Sequence, residues 1–207
     1  MANLKLVDVI LDALSQFNPA RAVANAGSSS ALLISWKDGG RPGQSSLQYE
    51  IHGSAYGGGN GNDGANGTAA HLSNLHITPI EIIESEFPCR ITEFGLISDS
   101  GGRGEYRGGL AMRRRYELLQ DASVVRRFDK AIYPPSGLSG GEPGRPSSFV
   151  LRANSSKEEV VRISGRFELC AGDCLIIESA GGGGYGDPAR RSPQALERDR
   201  AEGYVSN

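Results

Sequence analysis

Lysine, cysteine and long apolar runs are what this chain has least of. Lys supplies four of the 22 basic residues and Arg the other 18. Arg grips carboxylate or phosphate with a planar fork, although a GC-rich genome would give the same bias. The three cysteines, Cys89, Cys170 and Cys174, form an odd set without a CxxC spacing. That argues against a disulfide framework or a thiolate zinc site and for a reducing compartment. No apolar run approaches the ~18 residues of a membrane span and the N-terminus shows no signal-peptide pattern, so the expectation is a cytoplasmic protein with no membrane partner. A net charge of -2 gives no whole-molecule field for nucleic acid.

Glycine is what the chain has in excess, 29 of 207 residues, about twice the usual ~7%. Apolar residues at 38% and charged residues at 22% are otherwise globular. The length suits a single domain over residues 1–207, with a candidate sub-boundary near 145.

Leu4, Val7, Ile10, Leu11, Leu14 and Phe17 recur at helical spacing, which predicts an amphipathic helix capped by Asn3 and stopped at Asn18-Pro19. "ALLISW" and "LQYEIHGSAY" read as strands separated by the turn-rich "KDGGRPGQSS". "TPIEIIESEF" predicts a short helix, with Thr78 as cap, Pro79 at the first helical position and Glu81 closing a capping box. "CRITEFGLIS" and "LAMRRRYELLQ" read as strands, and "ASVVRRFDKAIY" is of uncertain type. From Ser148 to Ser179 apolar and polar residues alternate, which predicts an antiparallel meander or small barrel. A polar C-terminal helix follows, capped by Ser192, opened by Pro193 and stopped at Gly203. The fold class is therefore α+β: an antiparallel-strand-rich domain with Gly-rich loops, an N-terminal helix, a short middle helix and a C-terminal helix.

Three glycine-rich stretches punctuate this order, "GGGNGNDGANG" from Gly57, "SDSGGRGEYRGG" from Ser98 and "AGGGGYGDP" from Ala180. Such a stretch can cradle phosphate, make a turn, or let backbone pack too closely for side chains. The second lacks the Lys-Ser/Thr ending of a P-loop and leads into a strand rather than a helix, so the nucleotide fingerprints fail. It reads as a tight strand-to-strand connection. Arg103 and Arg107 within it could grip a substrate anion or pair with Asp99 and Glu105. His52, Asp63, His71 and His76 lie close in sequence without a recognised ligand spacing, so a metal site and a scattered solvated set both stay open. No G-x-S-x-G elbow or Cys-base pair supports a nucleophilic triad, and the cysteines read as small buried hydrophobes. Glu81 and Glu84 fit pairing with a helix N-terminus, and Arg113, Arg114 and Arg115 fit a strand edge or an interface.

Several of these stretches, in this order, resemble the hydantoinase B/5-oxoprolinase family, to which acetone and acetophenone carboxylase subunits are related. They are Tyr49-Glu50, the loop from Gly57 to Gly67, Asn74, Thr78 to Glu84, Phe87-Pro88, "DSGGRGEYRGGL", Gly172-Asp173 and "GGGGYGDP". The resemblance covers essentially the whole chain and implies the C-terminal part of a B module. It implies a subunit of an ATP-dependent hydrolase of hydantoin, 5-oxoproline or another lactam, or of a ketone carboxylase, not active alone. The alternative is a non-catalytic assembly subunit. By the same resemblance the partners are a hydantoinase A-like ATPase chain and the N-terminal B half, in a hetero-oligomer. ATP with Mg, and a divalent metal such as Zn or Mn, are expected in those partner chains, with no cofactor, metal ligand or catalytic residue here. Asp99, Arg103 and Arg107 are the expected substrate-binding residues, followed by His52 and His71.

Overall fold

The computed structural model describes residues 2–37, 45–71 and 73–206. It shows an α+β fold of two antiparallel sheets with helices at both ends and one between strands. Helix α1 (Ala2–Ser15) leads to β1 (Ser30–Trp36) and β2 (Ser46–His52), then α2 (Ile80–Glu86), β3 (Cys89–Leu96), β4 (Met112–Leu118) and β5 (Ala122–Arg127). Strands β6 (Ser148–Leu151), β7 (Glu159–Val161), β8 (Gly165–Leu169) and β9 (Cys174–Glu178) precede α3 (Pro193–Ala201).

One sheet has the order β2-β1-β5-β8 and the other β3-β4-β9-β6-β7. Alternation puts Leu32, Ile34, Trp36 and Val124 on the inner face of the first, and Tyr116, Leu118, Phe149, Leu175 and Ile177 on that of the second. These side chains make one shared core, so the sheets form a sandwich. Phe87, just after α2, stacks on Trp36 with ring centroids 5.6 Å apart and docks that helix on the core.

The glycine-rich stretches meet beside the sandwich. Gly181 and Gly184 donate to the carbonyls of Arg145 (3.0 Å) and Glu142 (2.9 Å), whereas Gly182 and Tyr185 donate to Gly109 (3.0 Å) and Tyr106 (2.8 Å). Gly181 with Gly184, and Gly182 with Tyr185, thus address the same neighbouring stretch three residues on, the period of a left-handed extended helix with three residues per turn. Gly182, Gly183 and Gly184 accept in turn from Gly102, Gly58 and Leu138. Side chains have no room: a Cβ on Gly182 would lie 1.9 Å from the Tyr56 oxygen, and one on Gly183 2.0 Å from the Ser136 oxygen. The expected tight connection between β3 and β4 is present, and it forms part of this bundle.

Four expectations need correction. The helix begins at Ala2, so Asn3 lies in its first turn, and Leu6, Val9, Ile10, Leu14 and Phe17 are exposed. Pro79 is extended (ψ 139) and α2 starts after it without a side-chain cap, so the Thr78–Glu81 box does not form. Glu84 instead accepts from the Ile91 N–H (2.7 Å), tying α2 to β3. The stretch from 148 to 179 is not one meander, because β8 leaves it to pair with β5 while β6, β7 and β9 stay in the larger sheet. Alternation marks a strand but not which sheet edge it joins. The C-terminal helix follows expectation: the Ser192 side chain accepts from the Ala195 N–H, and Gly203 takes φ 71. Of the turn "KDGGRPGQSS", residues 38–44 lie outside the described residues.

Candidate functional site

The five residues expected to bind substrate do not come together in one site. Asp99 is exposed, with φ 58, and its carboxylate accepts from the Ser206 N–H at 3.0 and 3.2 Å while its own N–H donates to Tyr204. It fastens the C-terminal segment. Arg103 is exposed, and its side chain has no hydrogen bond or ion pair among the described residues. Glu105 pairs with Arg190 at 3.3 Å, not with either arginine of its own loop.

Arg107 is buried in a network that clamps the first two glycine loops to the C-terminal region. Its guanidinium donates to Asn66 (2.8 Å) and Asp199 (3.3 Å) and lies 4.7 Å over the Tyr204 ring, while its backbone N–H donates to Asp63 (2.8 Å). Arg191 forks onto both Asp63 oxygens, at 2.8 and 3.0 Å, and also reaches Asp199. Burial alone would raise the Asp63 pKa, but the hydrogen bonds and charge of Arg191, helped by Arg107, hold it below the usual carboxylate value.

His52 lies between the sheets in a second network. Arg114 of β4 pairs with Glu50 of β2, Tyr116 donates to Glu50 at 2.5 Å, and His52 Nε2 sits 3.1 Å from the Tyr116 hydroxyl. Burial, and then the charges of Arg126 and Arg114, push the His52 pKa well below 6.5, so the imidazole is neutral. Burial and the Glu50 charge push Tyr116 upward. Arg126 is fully buried near the rings of Phe128 and Phe149, and none of its three nitrogens has a hydrogen-bond partner among the described residues. Burial lowers its pKa to about 9. A void of about 10 Å³, room for a single water, lies beside Glu50, His52 and Arg114. The network joins the two sheets around that void.

His71 lies beside an open cleft, which it meets through Asp8. Its Nε2 is 3.5 Å from Asp8, which α1 turns inward and which also pairs with Lys130 at 3.3 Å. Lys5 pairs with Asp129 at 2.9 Å. Asp8, Asp12, Asn25, Asp129, Lys130 and Tyr133 line a cleft of about 440 Å³ between α1 and the segment after β5, a size that suits a small ligand. Lys130 holds a left-handed backbone, φ 62, unusual for a residue with a side chain. The sequence reading missed Asp8, Asp129 and Lys130. Asp8 and Asp12, four apart within an apolar helix, were the available signal.

Among the described residues no three His, Cys, Asp or Glu side chains converge to hold a metal ion. His76 is exposed. Cys89 is buried, with its thiol pushed up to about 12 chiefly by burial, but Cys170 is exposed, contrary to expectation. Among the described residues no helix is long and apolar enough to cross a membrane.

With this fold the sequence profile of the hydantoinase B/oxoprolinase family matches residues 2–188, and the chain belongs to that family. A protein of Methanocaldococcus jannaschii is 36% identical over 98% of this chain and 35% of its own length. Caprolactamase subunit beta of Pseudomonas jessenii is 30% identical over 97% of this chain and 36% of its length. The crystal structure of ATP-dependent caprolactamase from that organism superposes with a TM-score of 0.76 at 26% identity, over 94% of this chain and 35% of the other. Acetone carboxylase shares the fold, with a TM-score of 0.73 at 20% identity over 89% of this chain and 29% of that one. The chain spans about a third of the length of these proteins.

Proposed function

We propose that the chain is a subunit of a cytoplasmic, ATP-dependent complex that opens a cyclic amide such as a hydantoin, 5-oxoproline or another lactam, or carboxylates a ketone. Membership of the hydantoinase B/oxoprolinase family over residues 2–188 carries this reading. An A-like ATPase chain supplies the phosphoryl transfer that activates a poor electrophile. The rest of the B module supplies any divalent metal.

This chain contributes scaffold and part of the space that receives substrate. Arg103, whose side chain has no protein partner among the described residues, and His71, beside the cleft, are the expected residues best placed to meet a ligand. Asp99, Arg107 and His52 reach substrate only if assembly frees them from their present partners. That engagement also favours a second reading, a non-catalytic assembly subunit.

Reconstitution with an actin-like ATPase chain and the remaining B polypeptide tests both. ATP-dependent ring opening or carboxylation that needs this chain and falls at least tenfold with Arg103→Ala or His71→Ala supports the first reading. Turnover that needs the chain but survives those two substitutions leaves the scaffold reading. An assembled complex that turns over equally well without the chain refutes both.

A further inference from the structure

Helix α1 buries Leu4 and half-buries Val7 and Leu11, but it turns Ile10, Leu14 and Phe17 of the same apolar spacing outward. It rests on the protein through Leu4 and Asp8, while Leu6, Val9, Ile10 and Leu14, with Phe17 just beyond its end, are 47–86% exposed. Their spacing of three and four residues places them in one row. Ile132 and Tyr133, 61% and 82% exposed, lie across the cleft that they share with Val9. Single exposed apolar residues are ordinary, but a contiguous row of this size marks an interaction site. A helix with apolar residues on both its inner and outer sides is one that a larger structure encloses.

We infer that this row is the docking surface for the polypeptide that makes up the other two thirds of a hydantoinase B subunit. The inference rests on the family reading and names the surface. In the Methanocaldococcus jannaschii relative, 98% of this chain corresponds to 35% of a longer protein, so there the same module is continuous with much more polypeptide. The rim of the row is already neutralised, Lys5 by Asp129 and Lys130 by Asp8. The surface therefore suits an apolar protein face rather than a charged ligand.

The test co-expresses this chain with Pseudomonas jessenii caprolactamase subunit beta from which the region aligned to this chain has been deleted. Binding is read by co-purification and calorimetry, and the mass and melting temperature of the free chain are measured alongside. The wild-type chain should form a complex, and Val9→Glu/Leu14→Glu should bind about 100-fold more weakly, since two buried aliphatic contacts become charged. Leu47→Glu, at an exposed position of β2, should bind like wild type. The free double variant should melt with the wild type, as its substituted positions are exposed. A deleted subunit that stays insoluble or unbound beside the wild-type chain overturns the inference, as does equal binding by the double variant. So does a free chain that sedimented as a dimer dissociated by those substitutions, or a double variant that melted well below wild type. Reconstituted turnover indifferent to the double substitution would remove this docking surface and leave the proposed function standing.

Discussion

The glycine bundle and the β-sandwich hold their shape by opposite means. In the sandwich, side chains such as Leu32, Trp36, Phe149 and Leu175 fill the space between two sheets, and backbones stand a side chain apart. In the bundle, Gly181 to Gly184 touch neighbouring backbones directly, and each hydrogen bond is a main-chain one. The sandwich is thus specified by what its residues carry, the bundle by what they lack. A sandwich can relax around a lost methyl group, whereas the bundle has no side chain that could move aside for an added one.

Adding a methyl to the bundle is the severest way to break this comparison. Gly182→Ala sets a Cβ 1.9 Å from the Tyr56 oxygen; a loss above about 5 kcal/mol and little soluble protein are expected. Gly172→Ala is the control, because at φ 84 nothing lies within 4 Å of the new atom, and it should cost only about 1 kcal/mol in urea unfolding. A soluble Gly182→Ala protein melting with the wild type would show that the bundle can open. On the sandwich side, Phe149→Ala removes a fully buried ring and should cost about 4 kcal/mol, with Phe149→Leu recovering most of it.

The inter-sheet charges give a finer contrast. Glu50→Gln leaves Arg114 and Arg126 buried without a counter-charge and should cost about 3 kcal/mol. Arg126→Met removes a buried charge with no hydrogen-bond partner and should leave urea stability unchanged or raise it by about 1 kcal/mol. A large loss with Arg126→Met would mean that the guanidinium has a partner. The last contrast is that of pH. His52 is held neutral, with its folded pKa well below the unfolded 6.5. Below pH 6.5 the unfolded chain takes up a proton that the folded chain refuses, so stability present above 6.5 falls as pH drops toward the folded value. The slope should approach about 1.4 kcal/mol per pH unit, that of one proton. His52→Gln should flatten that part of the stability curve between pH 6.5 and 5; an unchanged slope would assign the acid sensitivity elsewhere.

These contrasts also explain what could be read from sequence. Strands β3 and β4 and helices α2 and α3 were legible because alternation, Pro79 and the Ser192-Pro193 pair are local signals. The three-residue period of the bundle was not, because glycines carry no apolar pattern to reveal it. Its neighbours also come from distant stretches, near Asn25, Tyr56, Ser100, Tyr106, Ser136 and Glu142. For the site, His71 was legible as a titratable residue, but Asp8 and Lys130 are separated from it in sequence and joined only by the fold. The outward turn of α1 could not be read either. Periodicity shows that a stripe is apolar, not which body covers it.

The bundle also sets a timetable for folding. Its central strand, Gly181 to Gly184, lies late in the chain, while the strands it binds begin near Asn25 and Tyr56. During synthesis the sandwich strands β1 to β5 can emerge and pair, yet the bundle has no middle until residue 184 has left the ribosome. Closing contacts over so long a separation is slow, and glycine surrenders more conformational freedom than any other residue as it orders. The bundle should therefore form last and all at once, as a slow cooperative phase that follows sheet formation in refolding experiments.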